Sequence, residues 1–126
     1  MFTNLVLVGA GGFLGSISRY LVCFFIQQTT GPSQIPYGTL AVNVIGCLLI
    51  GMIAGLAETR EFLTAEIRSL TLVGFLGGFT TFSTFAFETA SLASDGKMVH
   101  AFSNITLQLV LGLGAAWLSY AFFRQF

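Results

Sequence analysis

The apolar positions of this chain gather into four long runs, Asn4–Ile26, Thr39–Ala57, Ile67–Ala93 and Val99–Phe123, joined by three short polar stretches. As a helix the first run is about 34 Å long at ~1.5 Å per residue, enough to cross a hydrocarbon layer about 30 Å thick with some tilt. The joints read as solvated connections. "QQTTGPSQIPYG" contains both prolines and two glycines, "ETREFLTAEIR" collects three acids and two arginines, and "SDGK" is a short turn. The N-terminal run has no basic flank and exceeds the apolar length of a leader, so it is predicted to be retained as a span. The pattern therefore predicts an all-α integral membrane protein, a single domain over residues 1–126 with four transmembrane helices.

The third run is not uniform. Its centre, "GFLGGFTTFSTFAFE", places Gly77 and Gly78 in mid-membrane, where each would weaken a continuous helix by about 1 kcal/mol relative to alanine. Thr80 and Thr81 follow, and a hydroxyl at the start of a helix can accept from backbone N–H groups two or three residues on. These residues predict two half-helices with a break at 76–80. Freed backbone groups in hydrocarbon are tolerated only where they meet protein, water or an ion, which marks the break as a candidate site. Beyond it, Phe82 and Phe85 share one helical face, and Thr81, Thr84 and Glu88 share an adjacent one. The positive edge of an aromatic ring can stabilise an anion, although core packing accounts for most such rings.

Polar residues recur inside the other runs. Asn43 lies near the middle of the second, where its amide needs partners and can donate two hydrogen bonds. In the fourth, Asn104, Gln108 and Gly112 follow each other at helical spacing, with Ser103 and Thr106 beside them. Such groups serve either as glue between helices or as donors along a path. Amide and hydroxyl donors can replace an anion's water without trapping it, as fixed cations would. Arg19, inside the end of the first run, either snorkels to the surface or works within the protein. Gly11-x-x-x-Gly15 and Gly51-x-x-x-Gly55 mark helix faces for close approach, within the chain or between subunits.

Composition sharpens this picture more than it changes it. Of the 126 residues 55% are hydrophobic and 8% charged, and five basic residues balance five acidic ones, which leaves nothing to attract nucleic acid. Four spans put both termini on one side together with Arg60, Arg68 and Arg124, against Lys97 opposite, joined there by Arg19 if it snorkels. So small a bias barely specifies orientation and permits insertion both ways. No hydrolytic triad, metal-ligand cluster or nucleotide loop is present, so an enzyme is not predicted. Cys23 and Cys47 lie in apolar runs and read as buried small hydrophobes.

Over essentially its whole length the chain resembles the Fluc/CrcB fluoride channels, on "GGFLGSISRY", "PYGTLAVNVIGCLLIG", "GFLGGFTTFSTFAFE" and "NITLQLVLGL". Ala86 stands where a serine is common in that family, and Gln108 where a smaller residue is common. The resemblance implies a passive channel of the bacterial inner membrane that exports fluoride and relieves its toxicity to the cytoplasm. It also implies an antiparallel, dual-topology homodimer with two pores and one central structural sodium ion. Backbone carbonyls of Gly77 and Thr80 from each subunit would hold the sodium, a set of neutral oxygens suited to a hard monovalent cation. Asn43, Phe82 and Phe85 would contact fluoride, with Ser83 beside them; Asn104 and Gln108 would line a polar track, and Arg19 would sit at the aqueous entrance. Glu88 matches a family glutamate, with its role left open. The residues alone also accommodate a small proton-coupled multidrug exporter using Glu88, or an assembly subunit that transports nothing.

Overall fold

A computed structural model of the protein describes all residues, Met1–Phe126, and they form helices joined by short turns. Helix α1 runs Phe2–Thr30 and α2 Tyr37–Thr59; α3, Ala65–Arg68, continues into a π-helical segment, Ser69–Leu76, and into α4, Gly77–Phe79. After a break come α5, Phe82–Ser94, and α6, Met98–Phe123. Four helical stretches, Phe2–Thr30, Tyr37–Thr59, Ala65–Ser94 and Met98–Phe123, are long and apolar enough to cross a membrane.

Helix α1 extends beyond the apolar run that predicts it, because threonine hydroxyls take over at its end. Thr29 donates to the carbonyl of Ile26 at 2.9 Å and Thr30 to the same carbonyl at 2.8 Å. The helix stops at Gly31, whose φ of 66° reverses the chain in a conformation that side chains disfavour. Pro36, which has no N–H to give, directly precedes α2. Thr64 caps α3, its hydroxyl accepting from the Ile67 N–H at 3.3 Å.

The expected break at 76–80 is displaced. Gly77 and Gly78 remain helical, and the chain becomes extended at Thr80 (φ −87°, ψ 161°) and Thr81 (φ −152°, ψ 114°). Gly78 serves packing instead. A Cβ on Gly78 would lie 2.6 Å from the carbonyl oxygen of Gly12 on α1. Helix α1 rests on the first half of the third span, where added Cβ atoms on Gly11 and Gly15 would collide with the carbonyls of Leu70 and Phe75. Helix α2 rests on α6 in the same way, Gly51 against the Ala116 carbonyl and Gly55 against that of Tyr120. Both glycine pairs thus bring helices of one chain together. Between α2 and α6, the Ser119 hydroxyl donates to the Leu48 carbonyl at 2.7 Å. Only 17 of the 126 residues are buried, so most of the apolar surface is left to lipid or to another subunit.

Candidate functional site

The break is held open by one side chain. Extended backbone at Thr80 and Thr81 removes the Thr81 N–H and both carbonyls from helical pairing, and an unmet backbone group in hydrocarbon costs several kcal/mol. Asn43 of α2 meets both groups of Thr81: its Oδ1 accepts from the Thr81 N–H at 2.8 Å, and its Nδ2 donates to the Thr81 carbonyl at 3.1 Å. The second Nδ2 hydrogen goes to Oε1 of Gln108 on α6, at 3.1 Å. The neighbouring Thr80 carbonyl accepts from a guanidinium nitrogen of Arg19 at 3.3 Å. Arg19 therefore turns inward to the break rather than snorkelling to the surface.

The same step frees the Gly77 carbonyl. In a continuous helix its partner would be the Thr81 N–H, which goes to Asn43, while the Thr80 N–H pairs with the Leu76 carbonyl at 2.9 Å. Gly77 is exposed, and the nearest atom to an added Cβ is the Leu72 carbonyl oxygen at 4.0 Å. An open carbonyl at the middle of a span, with a second carbonyl at Thr80, suits a cation held by neutral oxygens.

Two cavities flank the break. One of about 410 Å³ is lined by Asn43, Gly77, Thr80, Thr81, Phe82, Phe85 and Gln108 among others. The other, of about 850 Å³, opens at the loop joining α1 to α2 and is lined by residues including Thr39, Thr84, Glu88 and Asp95. A hydroxyl pair links them: Thr81 donates to Thr84 at 3.0 Å, Thr81 lining the first cavity and Thr84 the second. Thr81 also caps α5, accepting from the Thr84 N–H at 3.2 Å, and lies 3.3 Å from the Ser83 hydroxyl. Phe82 and Phe85 meet edge to face with centroids 5.6 Å apart, and Phe82 is 78% exposed.

The stripe on α6 divides. Asn104 is fully buried and donates to the Thr89 hydroxyl at 2.9 Å, which itself donates to the Phe85 carbonyl at 2.8 Å. Gln108 lines the smaller cavity. Ser103 and Thr106 instead bond their own helix, to the carbonyls of Val99 and Phe102. In the larger cavity, Glu88 accepts from the Thr39 hydroxyl at 2.7 Å. Three buried polar atoms have no partner: Glu88 Oε2, Asn104 Oδ1 and Gln108 Nε2.

Thr39 and Thr89 are the participants that sequence reading missed. Thr39 stands at the edge of an apolar run and Thr89 on a helix already rich in hydroxyls, so neither departs from its surroundings. The one available signal was helical spacing, which puts Thr89 one turn beyond Phe85.

Comparison with known proteins adds an independent line. The family described as CrcB-like protein, Camphor Resistance (CrcB), matches residues 6–120. A fluoride-specific ion channel FluC of Shewanella loihica is 46% identical over 115 residues, 91% of each chain. The proteins of the same description from Prosthecochloris aestuarii and Campylobacter lari are 42% and 40% identical, over 98% of this chain and 94% and 100% of theirs.

Proposed function

Because the chain belongs to the CrcB-like family, we infer that it is a fluoride channel, a multi-pass protein of the bacterial plasma membrane and not an enzyme. The geometric observation that carries this reading is the uncharged polar line through the break, from Gln108 and Asn43 to the peptide of Thr81, then by the hydroxyls of Thr81 and Thr84 to the larger cavity. A small anion is strongly hydrated, and neutral donors offer it replacement partners weak enough to release it again. The edges of Phe82 and Phe85 add a contact without fixed charge. Flow along such a line is passive and, down an outward gradient, relieves the cytoplasm of fluoride.

The reading extends to an inverted second copy. Gly77 and Phe82 are exposed beside polar groups at the middle of a span, a surface unsuited to lipid. A partner inserted in the opposite sense would cover it, giving an antiparallel homodimer with two pores. The freed Gly77 carbonyl and that of Thr80, two from each subunit, would hold a sodium ion on the axis. Arg19 uses part of the Thr80 oxygen's capacity, and a carbonyl has two lone pairs, so the set still fits a monovalent cation. When bound, such an ion would supply positive charge next to the pathway and tie the two subunits together.

Fluoride efflux from proteoliposomes tests the function. Rapid, proton-independent efflux is the expected result. Proton-coupled cation uptake would identify an exporter working through Glu88, and the absence of both would leave an assembly subunit.

A further inference from the structure

The geometry points to Asn104 as a positioning residue: acting through Thr89, it fixes the half-helix α5 and with it the rings of Phe82 and Phe85. The inference rests on the fluoride-channel reading and deepens it, because it assigns a residue that shapes the pathway without touching the ion.

The half-helix has few ties. Within the chain α5 packs on α6 and less on α2, and it does not meet α1. Only two side-chain hydrogen bonds join its residues to other helices: the Thr39 hydroxyl of α2 donates to Glu88 at 2.7 Å, and Asn104 Nδ2 of α6 donates to the Thr89 hydroxyl at 2.9 Å. Both act on one turn, from two sides. The other end of α5 is set at Thr81, whose peptide Asn43 holds. Phe82 and Phe85 lie between these two anchorages, and Phe82 is too exposed to be held by its own packing within the chain.

The sense of the Asn104 bond follows from its neighbours. The Phe85 carbonyl can only accept, so the Thr89 hydroxyl 2.8 Å away donates to it. The hydroxyl oxygen then accepts, and the Asn104 atom facing it is the nitrogen. Turning the amide over would put an oxygen there, and the single hydroxyl proton could serve that oxygen or Phe85 but not both. The observed orientation keeps both bonds and leaves the Asn104 oxygen buried without a partner.

A fully buried amide kept with one end unmet is poor glue, since an apolar side chain of similar size would fill the place without that cost. What the amide supplies, and leucine cannot, is a fixed hydroxyl at Thr89. A threonine that bonds back to the carbonyl one turn earlier bends its helix, here at Phe85. Holding that hydroxyl sets the angle at which α5 carries the rings. Asn104 lines neither cavity beside the break, so its effect on the pathway travels through Thr89.

Fluoride efflux from proteoliposomes of Asn104→Leu, Thr89→Val, the double variant and Thr89→Ser tests this, with a para-fluorinated ring at Phe85 as a second readout by nuclear magnetic resonance. Each of the first two variants should lower efflux about fivefold or more, and the double should lower it no further, because both cut one link. The ring signal should shift or broaden alike in both. Thr89→Ser keeps the hydroxyl and should match the wild type in efflux and in signal. Full efflux in Thr89→Val, losses that multiply in the double variant, or an unmoved ring signal where efflux falls would each overturn the inference. A measurement on the wild type holds even where a variant does not fold: in nanodiscs the Asn104 NH2 protons should keep their shifts as sodium fluoride replaces sodium chloride. A fluoride-dependent shift there would make Asn104 a contact and overturn its positioning role. Efflux by the wild type is measured first. If that is absent the channel reading fails; if it is present and any of these adverse results follows, this inference alone fails.

Discussion

Asn43 pairs with the Thr81 peptide as a neighbouring strand would, taking its N–H at 2.8 Å and giving to its carbonyl at 3.1 Å. One side chain on α2 thus satisfies both backbone groups of a residue on the third span. Asn43→Ala would leave two groups unmet inside the bundle, at about 1–3 kcal/mol each. We expect a lower melting temperature in detergent together with loss of fluoride efflux. A variant that loses efflux with unchanged melting would show that the clamp is dispensable for the fold.

Thr81 has two tasks that a methyl group cannot share. Its hydroxyl accepts from the Thr84 N–H at the start of α5 and donates to the Thr84 hydroxyl between the two cavities. Thr81→Val keeps the shape and removes both, which should cost about 1 kcal/mol of cap stability and slow efflux. Thr81→Ser keeps the hydroxyl and should preserve both properties. Equal efflux from the two variants would take the hydroxyl pair out of the pathway.

The glycine contacts separate packing from permissive positions. A Cβ on Gly15 would strike the Phe75 carbonyl, and backbone cannot yield as a side-chain tip can, whereas nothing lies within 4 Å of one on Gly9. We expect Gly15→Ala to destabilise the protein by about 1–3 kcal/mol. Gly9→Ala should be neutral or slightly stabilising, through helix propensity alone. Thermal unfolding of both variants in one detergent checks the contrast, and equal melting temperatures would mean that the helices of α1 and the third span can separate freely.

Four spans were legible because helix length and apolar content are local properties that a bilayer converts directly into architecture. The break was legible as a feature and misplaced in detail. Gly77 and Gly78 weaken a helix in isolation, but Gly78 allows the close backbone approach to Gly12 on α1, and helical packing wins. The chain becomes extended at Thr80 and Thr81 because Asn43, distant in sequence, compensates the peptide there. The π-helical turn at Ser69–Leu76 had no sequence signal at all. Among site residues, Asn43 and Gln108 stood out as polar groups in apolar runs. Their mutual hydrogen bond, which decides what each can donate to, depends on how α2 and α6 pack.

Gly77 offers the sharpest test of the second copy and the sodium ion. Within one chain there is room for a side chain: the closest atom to an added Cβ is the Leu72 carbonyl oxygen, at 4.0 Å. Valine is no worse than glycine as a helix residue, so Gly77→Val should leave the single subunit folded. Any loss must then come from something outside the chain that approaches this carbonyl. If two inverted copies meet here around a cation, a branched side chain crowds the axis, and we expect weakened dimers, loss of their stabilisation by sodium over an organic cation, and little efflux. Thr80→Ser, which keeps the carbonyl and the hydroxyl that donates to Leu76 at 2.9 Å, should retain all three. Dimer dissociation in detergent, followed with and without sodium, gives the answer. Normal, sodium-stabilised dimers of Gly77→Val with full efflux would remove this carbonyl from both the interface and the cation site.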